Sequence, residues 1–325
     1  MQRLWMPALA LWACTAAFFS PDSCAQDYPA RAVRLVVPWP PGGLVDIAAR
    51  AVAKEIQANT GQAFVVDNKP GAGGVIGADI VAKAAADGYT LVLTTSALNM
   101  GAALGQKLPF DVSADFIPVG AVAFAPSVVV VNLSVSATSM NELIDLARSR
   151  PGKLSYASAG IGSPAHLATE LFKSAMSLDI THVPYKGAPQ AIADLIAGHV
   201  DIFVANAAVA LPQIRAKTVR PLAVTGAQRF GPLPDLPTVA EIGVKDFDAD
   251  QWLGILAPRS TPAAVISKIR SEIDKTLAAD VFRSTLSASG MNPAKPEALD
   301  SFATYFRNDL AKWTTVARRA QIKAD

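Results

Sequence analysis

The chain has 325 residues, 29 Lys plus Arg against 27 Asp plus Glu, and 51% hydrophobic residues, a near-neutral balance in a chain long enough to split into two cores. No basic run stands out beyond Arg318-Arg319, which argues against a nucleic-acid surface. The two cysteines, Cys14 and Cys24, both fall in the first 25 residues, which argues against a disulfide framework or a cysteine metal site in the rest.

Residues 1–25 carry Arg3, an apolar run over 4–19, and then Ser23-Cys24-Ala25, small residues at the sites a leader peptidase reads. The segment is expected to be a secretory signal, cleaved after Ala25 so that the exported chain starts at Gln26. Pro7 interrupts the run, which falls short of the about 20 apolar residues a membrane span needs. An uncleaved anchor and a lipid attachment at Leu11-Trp12-Ala13-Cys14 are the alternatives. Cleavage removes both cysteines and leaves stability to packing.

From Val33 onward, short β-branched runs alternate with stretches of helical period, which predicts an α/β protein of parallel strands joined by right-handed crossovers. Strands are expected over 33–38, 63–67, 90–94, 127–132, 154–158, 180–184, 201–205, 220–225 and 252–257. Between the first two, Leu44, Ile47, Ala48, Ala51, Val52 and Ile56 share one helical face. Ser163-Pro164 and Thr261-Pro262 each place a hydroxyl cap before a proline at the first helical position, followed by Leu167, Ala168, Leu171, Phe172 and Ala175, or by Ile266, Ile269, Ile273 and Leu277. A last helix from about Pro296 aligns Leu299, Phe302, Phe306, Leu310, Trp313 and Val316, and the Pro- and Gly-rich stretch 230–247 is expected to wrap the surface. Two apolar runs flanking Ala125-Pro126 read as a strand leaving one lobe and entering another, with a return near Trp252. That divides the chain into lobe one (26–125 plus 251–325) and lobe two (126–250).

In open parallel sheets, ligands bind beyond the carboxyl ends of the strands, where helix N-termini present free N–H groups. Four loops stand there: 38–43 with Trp39, Gly42 and Gly43 and Asp46 following; 95–99 with Ser96 and Asn99; 158–163 with Ser158, Ala159, Gly160 and Ser163; and 206–208, headed by Asn206. None contains Lys or Arg, so backbone N–H groups and hydroxyls are the donors, a chemistry that suits a carboxylate. Alternatives stay open at each. The Pro-Pro-Gly-Gly run also reads as a stiff turn, Trp39 as core, Ser163 as a helix cap. Asp46 reads either as a carboxylate capping its own helix and pairing with Arg50, or as a ligand- or water-orienting group. The glycines of 71–77 resemble a dinucleotide fingerprint, but the third comes one position late and no strand leads directly into them. His166, His182 and His199 lack metal-ligand spacing and read as structural or surface residues, and no Gly-x-Ser-x-Gly elbow occurs. No metal, no cofactor and no catalysis are expected.

Several stretches together resemble the Bug family, the substrate-binding receptors of tripartite tricarboxylate transporters. They are Val37-Pro38-Trp39-Pro40-Pro41-Gly42-Gly43 with Asp46 and Ala49-Arg50, Asn68-Lys69-Pro70-Gly71-Ala72-Gly73-Gly74, Asp87-Gly88-Tyr89-Thr90-Leu91, Tyr156-Ala157-Ser158-Ala159-Gly160, His182-Val183-Pro184-Tyr185-Lys186-Gly187, and Leu236-Pro237-Thr238-Val239-Ala240-Glu241. The resemblance implies a type II periplasmic-binding-protein fold, two α/β lobes joined by a hinge, in which the loop of Gly42, Gly43 and Asp46 faces the loop of Ser158, Ala159 and Gly160 across a ligand cleft. It also implies a periplasmic receptor that takes a mono-, di- or tricarboxylate to the small and large membrane subunits of a transporter; Trp39 suggests tolerance of an aromatic ring, and a monomer is expected. A receptor presenting its ligand to a sensor protein, and a periplasmic enzyme acting on an anionic substrate, are the competing readings.

Overall fold

The computed structural model describes residues 28–245, 247–296 and 298–323, the side chains of 298–300 excepted. The expected leader, its cleavage site and both cysteines lie outside the described residues, and so does the side chain of Leu299 on the last helix. Among the described residues no helix is long and apolar enough to cross a membrane.

Two sheets carry the fold. The first has the order β11-β4-β10-β3-β1-β2, built from β1 (Val33–Val37), β2 (Phe64–Asn68), β3 (Thr90–Thr95), β4 (Phe116–Ala125), β10 (Gln251–Pro258) and the short β11 (Asn292–Pro293). The second has the order β7-β6-β8-β5-β9, built from β5 (Ser127–Val131), β6 (Ser155–Ser158), β7 (Thr181–Pro184), β8 (Ile202–Asn206) and β9 (Arg220–Val224). Helices α1 (Leu44–Thr60), α2 (Val75–Ala82), α3 (Ala97–Ala103), α8 (Ala263–Ala278) and α9 (Asp280–Ala288) belong to the first sheet. Helices α4 (Met140–Ser149), α5 (Pro164–Met176), α6 (Ala188–Ala197) and α7 (Ala207–Arg215) belong to the second, and α10 (Ala298–Arg319) closes the chain.

The expectation of wholly parallel strands needs correction. β1 is parallel to β2 and β3, and β6 to β7 and β8, but β10 runs antiparallel to β3 and β4, and β5 antiparallel to β8 and β9. The reason is geometric. A strand arriving directly from the other sheet enters at the end where its new neighbours finish, so it must run against them. β4 passes into β5 with only Pro126 between, and β10 makes the return crossing.

The buried stripe of α1 is Val45, Ala48, Ala49, Val52, Ala53 and Ile56, with Leu44, Ile47 and Ala51 partly buried along its border. Ser163 caps α5 as expected, its Oγ accepting from His166 N–H at 3.3 Å with Pro164 at the first position. Thr261 does not cap α8. Pro262 occupies the cap position, and the Thr261 hydroxyl donates instead to the Pro258 carbonyl at 2.8 Å, a partner one turn upstream that satisfies it without a helix. Ile266, Ile269, Ile273 and Leu277 are buried as their spacing requires.

Helix α10 binds both halves together. Phe302 and Phe306 pack on Trp252 of β10, with ring centroids 5.5 and 5.4 Å away, while Trp313 and Val316 enter the core that holds Leu167 and Phe172 of α5. Burying each such large side chain is worth about 1.5–3 kcal/mol, so this helix alone couples the halves substantially. Met100 and Leu104, at the far end of α3, join the same second-sheet core.

Candidate functional site

The loop after β1 is shaped by one carboxylate. Gly42 takes φ +82°, the left-handed region that opens to glycine, and Gly43 caps α1 with no side chain to offer. Asp46, 3% exposed, closes the turn: Oδ2 accepts from Gly42 N–H at 2.9 Å and from Arg50 Nε at 2.8 Å, and Oδ1 accepts from Asn68 Nδ2 at 3.0 Å. Asn68, the last residue of β2, also donates to the Trp39 carbonyl at 3.0 Å, which ties the loop to the neighbouring strand. Burial pushes the Asp46 carboxyl up, but Arg50, the Gly42 N–H and Asn68 outweigh it and hold the group at about 2. Of the two roles left open for Asp46, these contacts fit the pairing with Arg50. Both oxygens are engaged by the protein, so Asp46 shapes the site.

The glycine-rich segment supports the same loop. A Cβ on Gly74 would lie 3.6 Å from the Trp39 ring, and one on Gly77 would fall 2.9 Å from Pro38 Cα and 3.0 Å from the Lys69 carbonyl. These glycines admit close packing against Pro38-Trp39, a use that accounts for them without a dinucleotide.

Because β1 and β3 are neighbours, Trp39 and Ser96 leave the sheet side by side. Ser96, fully buried, donates its N–H to the Trp252 carbonyl at 3.1 Å, but its Oγ is buried with no hydrogen-bond partner. Trp39 Nε1 is likewise buried and unpartnered. Asn99 gives its amide to the Phe306 carbonyl and Asp309 Oδ2, both at 3.0 Å, while its Oδ1 is unpartnered. A buried polar atom without a partner costs about 1–3 kcal/mol, and three of these lie just beyond the adjacent ends of β1 and β3.

On the second sheet, β6 ends in Ser158, fully buried. Its hydroxyl donates to the Gly160 carbonyl at 3.1 Å and accepts from Gly160 N–H at 3.2 Å, and His182 Nε2 lies 2.7 Å away. His166 Nδ1 accepts from Gly162 N–H at 3.0 Å, and Ser163 N–H reaches the Gly160 carbonyl at 3.1 Å. That leaves the N–H groups of Ala159 and Ile161 as the loop donors without a protein partner. Glu170 Oε1 accepts from the Tyr156 hydroxyl at 2.7 Å and from Lys173 at 2.6 Å.

The two loops meet the same helix. α3 starts beside Ser96 and ends at Leu104, where a Cβ on Gly162 would come within 2.7 Å of the leucine side chain. Asn206 stands apart from both. Its Oδ1 caps α7 by accepting from Ala208 N–H at 3.0 Å, and Ala208 N lies 3.6 Å from where a Gly290 Cβ would be, facing the turn before β11.

At the crossing between the sheets, Thr225 Oγ1 accepts from Ser127 N–H at 3.1 Å and lies 3.4 Å from Asp250 Oδ1. Burial, followed by the Asp248 charge, pushes the Asp250 carboxyl well up. A cavity of about 220 Å³ beside it is lined by Phe124, Gln228, Asp248, Asn292 and Tyr305, and contains none of the loop residues expected from the sequence.

Sequence reasoning gave Asn68 no role of its own and read His166 and His182 only as structural or surface residues. Asn68 and His182 lie within stretches that carried the family resemblance, but their contacts are with residues far away in sequence. Only the register that sets His182 opposite Tyr156 brings that imidazole beneath the loop.

Comparison with known proteins gives a consistent picture. The family described as "Tripartite tricarboxylate transporter family receptor" matches residues 48–322. Protein BugT of Bordetella pertussis is 36% identical over 327 residues, 99% of each chain. Among solved structures, R. palustris Rpa4515 with adipate is 36% identical with a TM-score of 0.73, covering 91% of this chain and 99% of that one. MatC from Rhodopseudomonas palustris with bound malate is 29% identical with a TM-score of 0.70, covering 89% and 99%.

Proposed function

The chain belongs to the tripartite tricarboxylate transporter receptor family, and from that premise we propose that it is a periplasmic receptor that binds a small carboxylate between its two lobes and hands it, unchanged, to the membrane subunits of a transporter. The observation that carries the reading is the pair of buried donors, Trp39 Nε1 and Ser96 Oγ, at adjacent strand ends with no protein partner. Donors of this kind, together with the N–H groups of Ala159, Ile161 and the first turn of α1, suit an acid group and need no cation. In this reading Gly42, Gly43, Gly160 and Asp46 set the backbone of the two loops, Ser158 and Ser163 brace the second, and Asn206, at the end of β8, serves as the cap of α7. Relatives of this fold hold adipate and malate, which makes dicarboxylates the first compounds to test.

Titration calorimetry of the exported form with adipate and malate, on wild type, Trp39→Phe and Ser96→Ala, tests the proposal. A hydrogen bond to a charged group is worth about 1.5–3 kcal/mol, so each variant is expected to bind about 10- to 100-fold more weakly. Thermal stability should stay level, because neither atom holds another part of the protein. Unchanged affinity in both variants would refute this site.

A further inference from the structure

The second-sheet loop owes its shape to groups outside it. Gly160 and Gly162 sit at φ +129° and +74°, where glycine is free and its own backbone preference fixes little. What holds them is a pair of imidazoles. His182, paired in register with Tyr156, stacks on that ring at 4.7 Å, and His166 from the first turn of α5 stacks on His182 at 4.0 Å, 15° from parallel. One imidazole holds Ser158 Oγ and the other the Gly162 N–H.

Counting protons defines their state. His166 Nδ1 accepts, so its proton sits on Nε2 and the ring is neutral. The Ser158 hydroxyl has one proton, and when that goes to the Gly160 carbonyl, His182 donates through Nε2–H while Gly160 N–H fills the remaining lone pair. A proton on His166 Nδ1 would set donor against donor at Gly162, and two cationic rings 4.0 Å apart would repel.

We propose that His166 and His182 are positioning residues of the ligand loop: as a neutral stacked pair they latch Ser158 Oγ and the Gly162 N–H, and so aim the N–H groups of Ala159 and Ile161. The inference rests on the receptor reading for its consequence, while the latch itself is a property of the loop. The ionisable groups facing the pair are Tyr156 of β6 and Glu170 and Lys173 of α5, with Arg319 of α10 sharing a groove with the last two. Glu170 favours a proton on both rings, but burial outweighs it and the Lys173 charge opposes it. Burial, then the neighbouring ring, lowers His166 to about 4, and burial lowers His182 as well. Acid therefore opens the latch, and the loop loses its set.

The test follows the Gly162 amide by nitrogen-15 NMR of the exported chain without ligand, alongside calorimetry with adipate at neutral and acid pH. In wild type the Gly162 resonance should titrate near pH 4, and adipate affinity should fall across the same range. His166→Asn, which keeps an acceptor near the Nδ1 position, should flatten the Gly162 titration and hold neutral-pH affinity within about threefold, whereas His166→Leu and His182→Leu should each weaken it by about tenfold or more. A Gly162 amide indifferent to pH, or leucine variants that bind as wild type does, would overturn the latch. A Gly162 amide that titrates in a protein that binds neither adipate nor malate would sink the carboxylate reading and support the latch.

Discussion

Replacing Asp46 by Asn keeps the shape of the side chain and removes the charge around which the first loop is built. Three donors converge on that carboxylate, the Gly42 N–H, Arg50 and the Asn68 amide, and Asn68 also donates to the Trp39 carbonyl. An amide at position 46 has one acceptor oxygen, so either Gly42 or Asn68 must face an NH2. The carboxyl is lowered from 3.8 to about 2 in a side chain 3% exposed, and at 1.36 kcal/mol per pH unit that amounts to about 2.5 kcal/mol of folding free energy near neutrality. The sign follows from the direction. The unfolded chain holds its proton more tightly than the folded one, so the contribution is complete above about pH 4 and is lost as pH falls through about 2. Urea unfolding of wild type and Asp46→Asn near pH 7 should differ by about 2.5 kcal/mol, and the gap should close as both are taken toward pH 2. A gap of the same size at both ends would mean that the loop is held by packing, with charge contributing nothing.

His166 follows the same proton logic in a different window. Lowered from 6.5 to about 4 by burial, it makes acidification costly: the unfolded chain takes the proton first, so about 3 kcal/mol of stability present above pH 6.5 is lost as pH falls toward 4. Urea midpoints should fall over that range in wild type and fall less in His166→Asn; parallel curves would count against a buried neutral imidazole. Gly77→Ala should cost about 1–3 kcal/mol, because its Cβ meets backbone atoms of Pro38 and Lys69 that cannot rotate away. Gly43→Ala meets only the Pro40 carbonyl at 3.7 Å and loses only the preference for glycine at the cap of α1, a cost under about 1 kcal/mol, so thermal midpoints that fail to separate the two would show that the 71–77 segment does not brace the loop.

Local signals in the sequence carried much of the fold. The β-branched runs marked the strands because a strand buried on both faces needs apolar residues throughout its buried part, as residues 35–37 and 128–131 show. Ser163 was legible as a cap because capping is a three-residue event. Thr261 misled for the same reason, since the like pairing of a hydroxyl residue with proline finds a different partner when Pro258 ends a strand just before it. Strand direction was not legible, because it depends on which sheet a strand arrives from. The loops at the strand ends could be listed from glycines and hydroxyls, but nothing local says that Asp46 spends both oxygens inward, that Trp39 Nε1 has no protein partner, or that His182 lies under Ser158.

On the proposed reading, the absence of Lys and Arg from all four strand-end loops becomes a design that can be checked for sufficiency. Micromolar binding requires about 8 kcal/mol, and charge-assisted hydrogen bonds supply about 1.5–3 each, so three to five well-placed donors are enough. Trp39 Nε1, Ser96 Oγ, Ala159 N–H and Ile161 N–H already give four, before the N-terminus of α1 adds its share. Arg50 is bound to Asp46 and brings no net charge to the first loop. A site of neutral donors holds an acid by shape and orientation more than by long-range field, so its selectivity should track donor spacing. Affinity ranked across dicarboxylates of increasing chain length should therefore show a maximum, whereas a flat ranking would point to a charge-driven site.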